Sequence, residues 1–227
     1  MGIGTLNEHS LHAFLKDYYQ KDTTKQEIKM GRYVADIVND SGIIEIQTRG
    51  FSKLKPKLEY FLLQCRVTVV YPIAKTKHLV WVDPEVGEAT KPRLSPKTGA
   101  PFEIFYELCF IKDFLCRENL SFKIILMDIV EYRFLDGWSR DRKKGSTRKD
   151  SVPVSVFKEV EIKNKTDFLK LLPSGLPRHF TLKELMKKAK ASRTLARRAI
   201  DVLCYIGVIE KCGKSGREYL YEIYIER

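Results

Sequence analysis

The sequence lacks the features of a membrane protein and of a secreted, disulfide-stabilised one. Its 227 residues contain no apolar run approaching the ~20 residues that span a bilayer, and the N-terminus has no signal-peptide core. The five cysteines are odd in number and form no Cys-x-x-Cys pair, and the four histidines do not cluster as a metal set. We therefore expect a cytoplasmic protein with reduced thiols and no membrane-spanning segment.

Acidic residues are fewer than basic ones. Lys and Arg number 41 against 29 Asp and Glu, which gives a formal net charge of +12. This balance suits a polyanionic partner, with nucleic acid first and an anionic membrane surface second. Because charge alone fits a basic protein with no such partner equally well, the choice depends on the motifs.

The predicted order of elements in the first 75 residues is helix, three strands, helix and strand. Apolar periodicity predicts a helix over residues 6–19, capped by Asn7, and strands over 26–30, 33–38, 43–48 and 66–71. Ser52 is predicted to cap the second helix, which runs to residue 62. Beyond these we expect a hairpin over 78–93, a helix over 101–114 and a strand over 121–134. A mobile basic loop over 138–150 fits phosphate contact and simple solvation equally well.

Two carboxylates are predicted to face each other on a hairpin. The turn residues 39–42 separate strands 33–38 and 43–48, and this register places Ile37 opposite Ile44 and Asp36 opposite Glu45. Side chains alternate across a sheet, so Glu45 and Gln47 share one face while the neighbouring isoleucines pack on the other.

Like charges directly opposite each other on a sheet are destabilising, so the hairpin predicts a cation between its carboxylates. Oxygen-only ligands favour Mg²⁺ or Mn²⁺, and the Ile46 carbonyl is a further candidate ligand. A divalent cation held there can bind a scissile phosphate, activate water and stabilise the leaving oxygen. Gln47 could orient the attacking water. The helix that follows offers three candidates for a charged electrophile: Lys53, Lys55 and Lys57.

The segments Gly31-Arg32-Tyr33-Val34-Ala35-Asp36-Ile37 and Ile44-Glu45-Ile46-Gln47 resemble the motif of the PD-(D/E)XK nuclease superfamily, which includes restriction endonucleases and Holliday-junction resolvases. The resemblance covers roughly the first 75 residues, where the element order also matches. It implies an α/β, restriction-endonuclease-like mixed sheet flanked by helices. It also implies that Asp36 and Glu45 are metal ligands and that Gln47 stands where lysine is usual. Glu8, on the opening helix, matches the further acidic residue that many members carry.

Each of these residues also has an ordinary interpretation. Taken singly, Asp36 fits a strand-end residue, Glu45 with Gln47 fits the wet face of an amphipathic strand, and Glu8 fits an acidic first helical turn. The predicted register, which places Asp36 opposite Glu45 with isoleucines on the other face of the sheet, favours the nuclease site. Gln47 leaves activity open, because active restriction enzymes and degenerate superfamily members both carry glutamine there.

A second, winged-helix domain is predicted over residues 164–227, after a nuclease-like domain over 1–163. A short helix over 167–172 ends at Pro173. Thr181 and Glu184 form a predicted capping box for a helix over 181–190, and Ser192 caps the next helix, which ends at Gly207. A hairpin over 208–225 follows, and helix, turn, helix, hairpin is the winged-helix order.

Basic side chains crowd the positions through which a winged helix contacts DNA. Residues 177–227 hold twelve Lys or Arg against six Asp or Glu. We expect the second helix to enter the major groove and the hairpin tip to contact phosphate or the minor groove. The alternative is a winged helix that binds protein and keeps its basic face in solvent. The helix candidates are Ser192, Arg193, Thr194, Arg197 and Arg198, and the wing candidates are Lys214 and Arg217.

These patterns together predict a metal-dependent DNA endonuclease that a winged helix positions on duplex DNA, with salt-sensitive binding. Two alternatives fit the same residues. One is a non-catalytic DNA-binding regulator with a degenerate nuclease fold, and the other is an interaction module of a larger assembly. Cutting both strands needs two sites, which a homodimer would supply.

Overall fold

The computed structural model describes residues 10–136 and 145–224. A large mixed sheet with helices on both faces dominates the structure, so the predicted α/β class is confirmed. Within the described ranges, no helix is both long enough and apolar enough to cross a bilayer.

Seven strands form the large sheet. They are β1 (Gln26–Met30), β2 (Tyr33–Asn39), β3 (Gly42–Ile46), β4 (Val67–Val82), β5 (Arg93–Leu94), β6 (Leu120–Phe134) and β7 (Thr147–Ile162). Their order is β1-β2-β3-β4-β6-β7, and β5 pairs with β4. The central strands β3, β4 and β6 are parallel, while the outer strands join antiparallel.

Hydrophobic clusters cover the two faces of the sheet. Helix α1 (Ser10–Tyr19) lies on one face, where Leu15 packs with Ile44 and Ile46 of β3. Helices α2 (Lys55–Phe61) and α3 (Phe105–Leu108) lie on the other face, in a cluster that includes Leu58. Since side chains alternate along a strand, Glu45 between the two isoleucines points toward α2.

The predicted hairpin register is confirmed for two of its three pairs, and the ladder ends before the third, Asp36 with Glu45. Ile37 lies opposite Ile44 and Val38 opposite Ile43. The turn is shorter than predicted, because Asn39 also pairs with Gly42. Gly42 has a φ of 112°, and a Cβ there would lie 2.3 Å from the Arg66 carbonyl oxygen, so both the tight turn and the close approach of the backbone require glycine.

The predicted strand over 66–71 and the first arm of the predicted hairpin over 78–93 belong to one strand. β4 is 16 residues long and pairs along its whole length with the 15-residue β6. The return arm is only β5 and a bridge between Val82 and Ala89. The long partner strand explains the merger, because β6 pairs with β4 through residues 72–77, which the prediction left between its two elements.

The predicted helix over 101–114 is wrong as a single element. It is broken into a 3₁₀ turn (Pro101–Ile104), the short α3 and a second 3₁₀ turn (Lys112–Phe114). Ile111 is fully buried in a non-helical conformation, φ −124° and ψ 22°. The segment is rich in aromatic residues of low helix propensity and buries three of them, Phe102, Phe105 and Phe114, so tertiary packing decides its backbone.

The predicted cap at Ser52 is also wrong. A 3₁₀ turn (Phe51–Lys53) precedes α2, and Gly50, with a φ of 74°, stands at its N-cap. The Glu107 carboxylate accepts hydrogen bonds from the amides of Gly50 and Phe51, each at 2.9 Å. A side chain distant in sequence therefore satisfies amides that a local cap was expected to serve.

The predicted basic loop over 138–150 is wrong for its last four residues. Thr147 to Asp150 are the first residues of β7 and pair with β6, with Thr147 opposite Phe134 and Asp150 opposite Tyr132. Pairing with a long neighbouring strand outweighs the polar composition of this stretch. Residues 138–144 of the predicted loop lie outside the described ranges.

The carboxyl-terminal unit consists of helices and a small sheet. Its elements are a 3₁₀ helix (Lys165–Leu171), β8 (His179–Thr181), α4 (Leu182–Ala189), α5 (Arg193–Tyr205), β9 (Ile209–Ser215) and β10 (Glu218–Ile223). The sheet order is β8-β10-β9, all antiparallel. The capping box of Thr181 with Glu184 is present and the Ser192 side chain caps α5, so both predicted caps are confirmed. The predicted helix over 167–172 is present as the 3₁₀ helix.

One continuous hydrophobic cluster joins this unit to the large sheet. Leu195 and Ala199 of α5 are buried in the same cluster as Phe105 and Leu108 of α3. The basic helix therefore packs directly on the helical layer that covers the sheet.

Candidate metal centre and adjoining cleft

Asp36 and Glu45 lie against each other where the pairing of β2 and β3 ends. The Asp36 amide donates to Glu45 Oε1 (3.2 Å), and the Ile46 amide donates to Asp36 Oδ2 (2.7 Å). Each carboxylate thus accepts a backbone hydrogen bond from the other strand, where a ladder would otherwise continue. Glu45 is only 1% exposed. The predicted juxtaposition of the two acids is observed.

The two carboxyl groups ionise at different pH values. Burial, followed by the charge of Asp36, raises the pKa of Glu45 to about 7 against the opposing effect of Lys57. Burial also acts to raise the pKa of Asp36, but the hydrogen bond and charge of His12, the Ile46 amide and the charge of Lys57 together outweigh it, and the net pKa of Asp36 is lowered. In such a close pair, one carboxyl group is charged and the other holds a proton. A bound cation would take the place of that proton.

Lys57 is the lysine that reaches this pair. Its Nζ lies 2.8 Å from Glu45 Oε2. The buried side chains of Leu54, Leu58 and Phe61 anchor α2 against the sheet and thereby fix the position of Lys57. The other two candidates lie elsewhere: Lys55 pairs with Asp113 (3.2 Å), and Lys53 is exposed.

His12 approaches from the opposite side, and sequence reasoning missed it. Its Nε2 lies 3.3 Å from Asp36 Oδ2. The packing of α1, through Leu15, holds it there. The only sequence signal was its place beside Leu11 on the apolar stripe of the helix, which does not distinguish a functional histidine from a structural one.

The remaining predicted site residues contribute differently. The Gln47 side-chain amide donates to the Arg49 carbonyl (2.6 Å), which ties it to the turn after β3. Ile46 contributes its amide to Asp36, as described above. Glu8 lies outside the described ranges.

Glu27 is a further acidic residue at this end of the sheet. It has a φ of 53°, an uncommon conformation for a non-glycine residue, and it falls between the paired residues Gln26–Ile37 and Ile28–Ala35, in the position opposite Asp36. Its carboxylate binds the buried Lys16 (2.8 Å). Strained backbone of this kind clusters at functional sites, so Glu27 belongs in the candidate set.

A cleft of about 720 Å³ opens beside His12. Its lining combines residues just after β3 and the middle of β4 with charged residues of both signs. The basic ones are Arg49, Lys77, Lys97 and Arg148, and the acidic ones are Glu27, Glu103 and Asp150. Beneath it, the buried Glu131 holds Lys77 (2.7 Å) and Arg133 (2.7 Å). The walls therefore carry both signs of charge, and Lys97 pairs with Glu103 (2.8 Å).

One face of α5 is committed to contacts inside the molecule. Arg198 donates to the Tyr106 carbonyl (2.8 Å) and lies over the Phe110 ring, and the Ser192 hydroxyl lies 3.0 Å from the Tyr106 hydroxyl. Further along the helix, Asp201 pairs with Lys112 (3.1 Å). Of the predicted DNA contacts, Arg198 therefore belongs to the packing interface, while Ser192 is exposed and is held by its hydrogen bond to Tyr106.

The other predicted DNA contacts are exposed. Arg193, Thr194 and Arg197 lie on the solvent side of α5, and Lys214 and Arg217 lie at the tip of the β9–β10 hairpin. These five residues form what we call the basic carboxyl-terminal face.

A family profile described as a domain of unknown function, DUF8091, matches residues 9–163, and the chain belongs to that family. An uncharacterized protein of Treponema pallidum (strain Nichols) is 31% identical over 222 residues, which are 97% of this chain and 87% of the Treponema protein. The similarity therefore extends beyond the family domain into the carboxyl-terminal helices and strands. The comparison with solved structures gave no significant match.

Proposed function

We propose that the protein is a divalent-metal-dependent DNA endonuclease with a restriction-endonuclease-like core. The observation that carries this proposal is the site itself. The buried Glu45 accepts the Asp36 amide, and the half-buried Asp36 accepts the Ile46 amide, with Lys57 on one side of the pair and His12 on the other. This is the arrangement that the resemblance to the PD-(D/E)XK superfamily implies for Asp36 and Glu45.

The donor set fits Mg²⁺ or Mn²⁺. Asp36 and Glu45 supply hard carboxylate oxygens, the Ile46 carbonyl is the remaining candidate ligand, and Mg²⁺ characteristically uses few protein ligands while retaining several waters. The raised pKa of Glu45 supports this fit, because the proton it holds in the absence of metal is one that a cation would displace.

The bound cation would supply Lewis acidity toward a phosphate oxygen and lower the pKa of a bound water. Lys57 would donate a hydrogen bond and positive charge where negative charge develops on phosphate, which is the role that the usual superfamily lysine has and that Gln47 cannot perform. His12 would keep Asp36 ionised. The usual lysine lies on the strand, at the position of Gln47, whereas Lys57 lies on α2. In our proposal Lys57 takes the role of the missing strand lysine.

The exposed basic residues of the carboxyl-terminal unit suit duplex DNA. The unit has the element order and the β8-β10-β9 pairing expected of a winged helix, although the inward face of α5 is already occupied. We propose that Arg193, Thr194 and Arg197, together with the wing residues, contact phosphates and groove edges while the cleft walls hold the strand to be cut. Binding would weaken steeply with salt, because each phosphate contact releases counterions.

Cleavage assays on supercoiled, linear and branched DNA with Mg²⁺ or Mn²⁺ test this function. Asp36→Asn and Glu45→Gln should each abolish cleavage while leaving DNA binding in gel-shift assays intact. Lys57→Ala should reduce the cleavage rate about 100-fold or more, in the range seen when one charge-stabilising donor is removed. Lys53→Ala, an exposed lysine of the preceding turn, is the matched control and should cut normally. Cleavage at the wild-type rate by both carboxylate variants would remove the assignment.

The second candidate is a non-catalytic DNA-binding regulator. Gln47 at the usual lysine position favours it. If the wild-type protein shifts DNA in a salt-dependent manner, yet cuts none of the substrates with either metal, the regulator is supported and the nuclease is not.

A further inference from the structure

Three metal-ligating side chains converge on the small carboxyl-terminal sheet, away from the carboxylate pair. His179 of β8, Cys212 of β9 and Glu222 of β10 each bring one ligand atom within 4.8 Å of the other two. The ligand atoms of a tetrahedral zinc site with ordinary bond lengths are about 3.5 Å apart. Small side-chain rotations would therefore bring this set to bonding distance of one ion.

The fold places these residues on one face for identifiable reasons. Glu222 pairs directly with His179 across β10 and β8, while their neighbours Tyr221 and Phe180 pack their rings together toward the core. Alternation along the strands therefore turns His179 and Glu222 to the outside. The β9–β10 register shifts between Leu220 and Tyr221, from Leu220–Gly213 to Tyr221–Lys211, so Cys212 is the extra residue of a bulge. Bulges re-aim side chains, and this one turns the thiol toward the other two ligands.

The ligand types point to a soft or borderline ion. An imidazole, a thiol and a carboxylate together suit Zn²⁺, whereas the hard cations Mg²⁺ and Ca²⁺ prefer oxygen alone. The Glu222 carboxylate is oriented by Arg178 (2.7 Å) and lies 3.5 Å from His179, both through Oε1. Arg178 can thus hold the carboxylate in place as an outer-sphere partner while Oε2 binds the ion.

We propose that His179, Cys212 and Glu222 form a zinc site, with water as the fourth ligand, that fastens the wing hairpin to β8. On binding, the Cys212 thiol loses its proton to solvent and the thiolate bonds the ion. The site links all three strands of the small sheet a few residues from Lys214 and Arg217, so an occupied site holds the hairpin in a fixed position relative to β8. This inference is independent of the proposed nuclease reaction.

Cobalt titration of the full-length, chelator-treated protein tests the site. Co²⁺ bound to a thiolate gives a charge-transfer band in the near ultraviolet, and tetrahedral Co²⁺ gives intense visible bands. We expect one equivalent of Co²⁺ to bind with both signals and to be displaced by Zn²⁺. Cys212→Ser should remove the charge-transfer band, and His179→Ala should weaken affinity at least tenfold. Cys116→Ser, which removes an exposed thiol elsewhere, should change neither signal.

A variant carrying both Asp36→Asn and Glu45→Gln separates the two metal sites. It should lose Mg²⁺-dependent cleavage and keep the full cobalt spectrum. Hydrogen exchange of residues 209–223 should slow on addition of Zn²⁺ in the wild-type protein and not in Cys212→Ser. The zinc site would be refuted by a charge-transfer band that survives Cys212→Ser, or by an absence of stoichiometric Co²⁺ binding to the folded wild-type protein.

Discussion

The strongest energetic consequence of the site concerns Glu45 in the metal-free protein. Its pKa is raised from the ordinary 4.5 to about 7 by burial and by Asp36. At about 1.4 kcal/mol per pKa unit, ionising it in the folded protein costs about 3 kcal/mol. Glu45→Gln keeps the size and an acceptor for the Asp36 amide but cannot ionise, so it avoids that cost.

The sign of the pH dependence follows from proton linkage. The folded protein holds the Glu45 proton more tightly than the unfolded chain, so the stability that this group contributes is present below the unfolded pKa of 4.5. It is lost as the pH rises through the folded pKa near 7. Relative to Glu45→Gln, the wild-type protein should therefore lose about 2 to 3 kcal/mol of unfolding free energy between pH 5 and pH 8.5.

Urea unfolding in the presence of EDTA, at closely spaced pH values, measures this difference. Glu59→Gln changes an exposed glutamate of α2 and is the matched control, whose profile should run parallel to that of the wild type. At pH 8, Mg²⁺ at ten times its dissociation constant should stabilise the wild type by about 1.4 kcal/mol and should stabilise Glu45→Gln far less. If the wild-type and Glu45→Gln profiles differ by a constant amount across the range, Glu45 ionises as an exposed acid and the reasoning fails.

Three other outcomes are expected. His12→Ala should make the Asp36 carboxyl titrate at higher pH in carbon-detected NMR, because the group that lowers its pKa is gone; an unchanged titration would contradict this. Arg198→Ala should lower the free energy of unfolding by about 2 kcal/mol, since a half-buried, charge-assisted hydrogen bond is lost, and a change below 0.5 kcal/mol (roughly the surface-substitution range) would contradict the packing role. Arg193→Ala with Arg197→Ala should weaken duplex binding and flatten its dependence on log salt by about two phosphate equivalents, while an unchanged slope would place DNA elsewhere.

Local patterns explain why much of the core could be predicted. The closeness of Asp36 to Glu45 follows from a short turn and from the alternation of Ile44 and Ile46 with the acid between them, both of which are readable in a few residues. The caps at Thr181 and Ser192 are equally local, because their partners lie three residues ahead. Features set by residues within about ten positions of each other can therefore be predicted from the sequence.

What the sequence did not predict depends on distant neighbours. Glu107 caps the turn before α2 across more than fifty residues, and no local signal identifies it. The inward and outward basic residues of α5 also depend on distant neighbours. Composition grouped Arg198 with Arg197, but contacts with Tyr106 and Phe110 turn Arg198 inward. The choice of Lys57 among three lysines likewise required the angle at which α2 packs on the sheet.

The most direct test of the proposed metal centre is an anomalous difference map from crystals of the protein soaked in Mn²⁺. A peak should lie between Asp36 and Glu45, about 2.2 Å from an oxygen of each, in the range for hard divalent cations. The same soak of Glu45→Gln crystals should lack the peak. A wild-type map with no anomalous peak at this pair, and with Lys57 still bonded to Glu45 at saturating Mn²⁺, would contradict the proposed site.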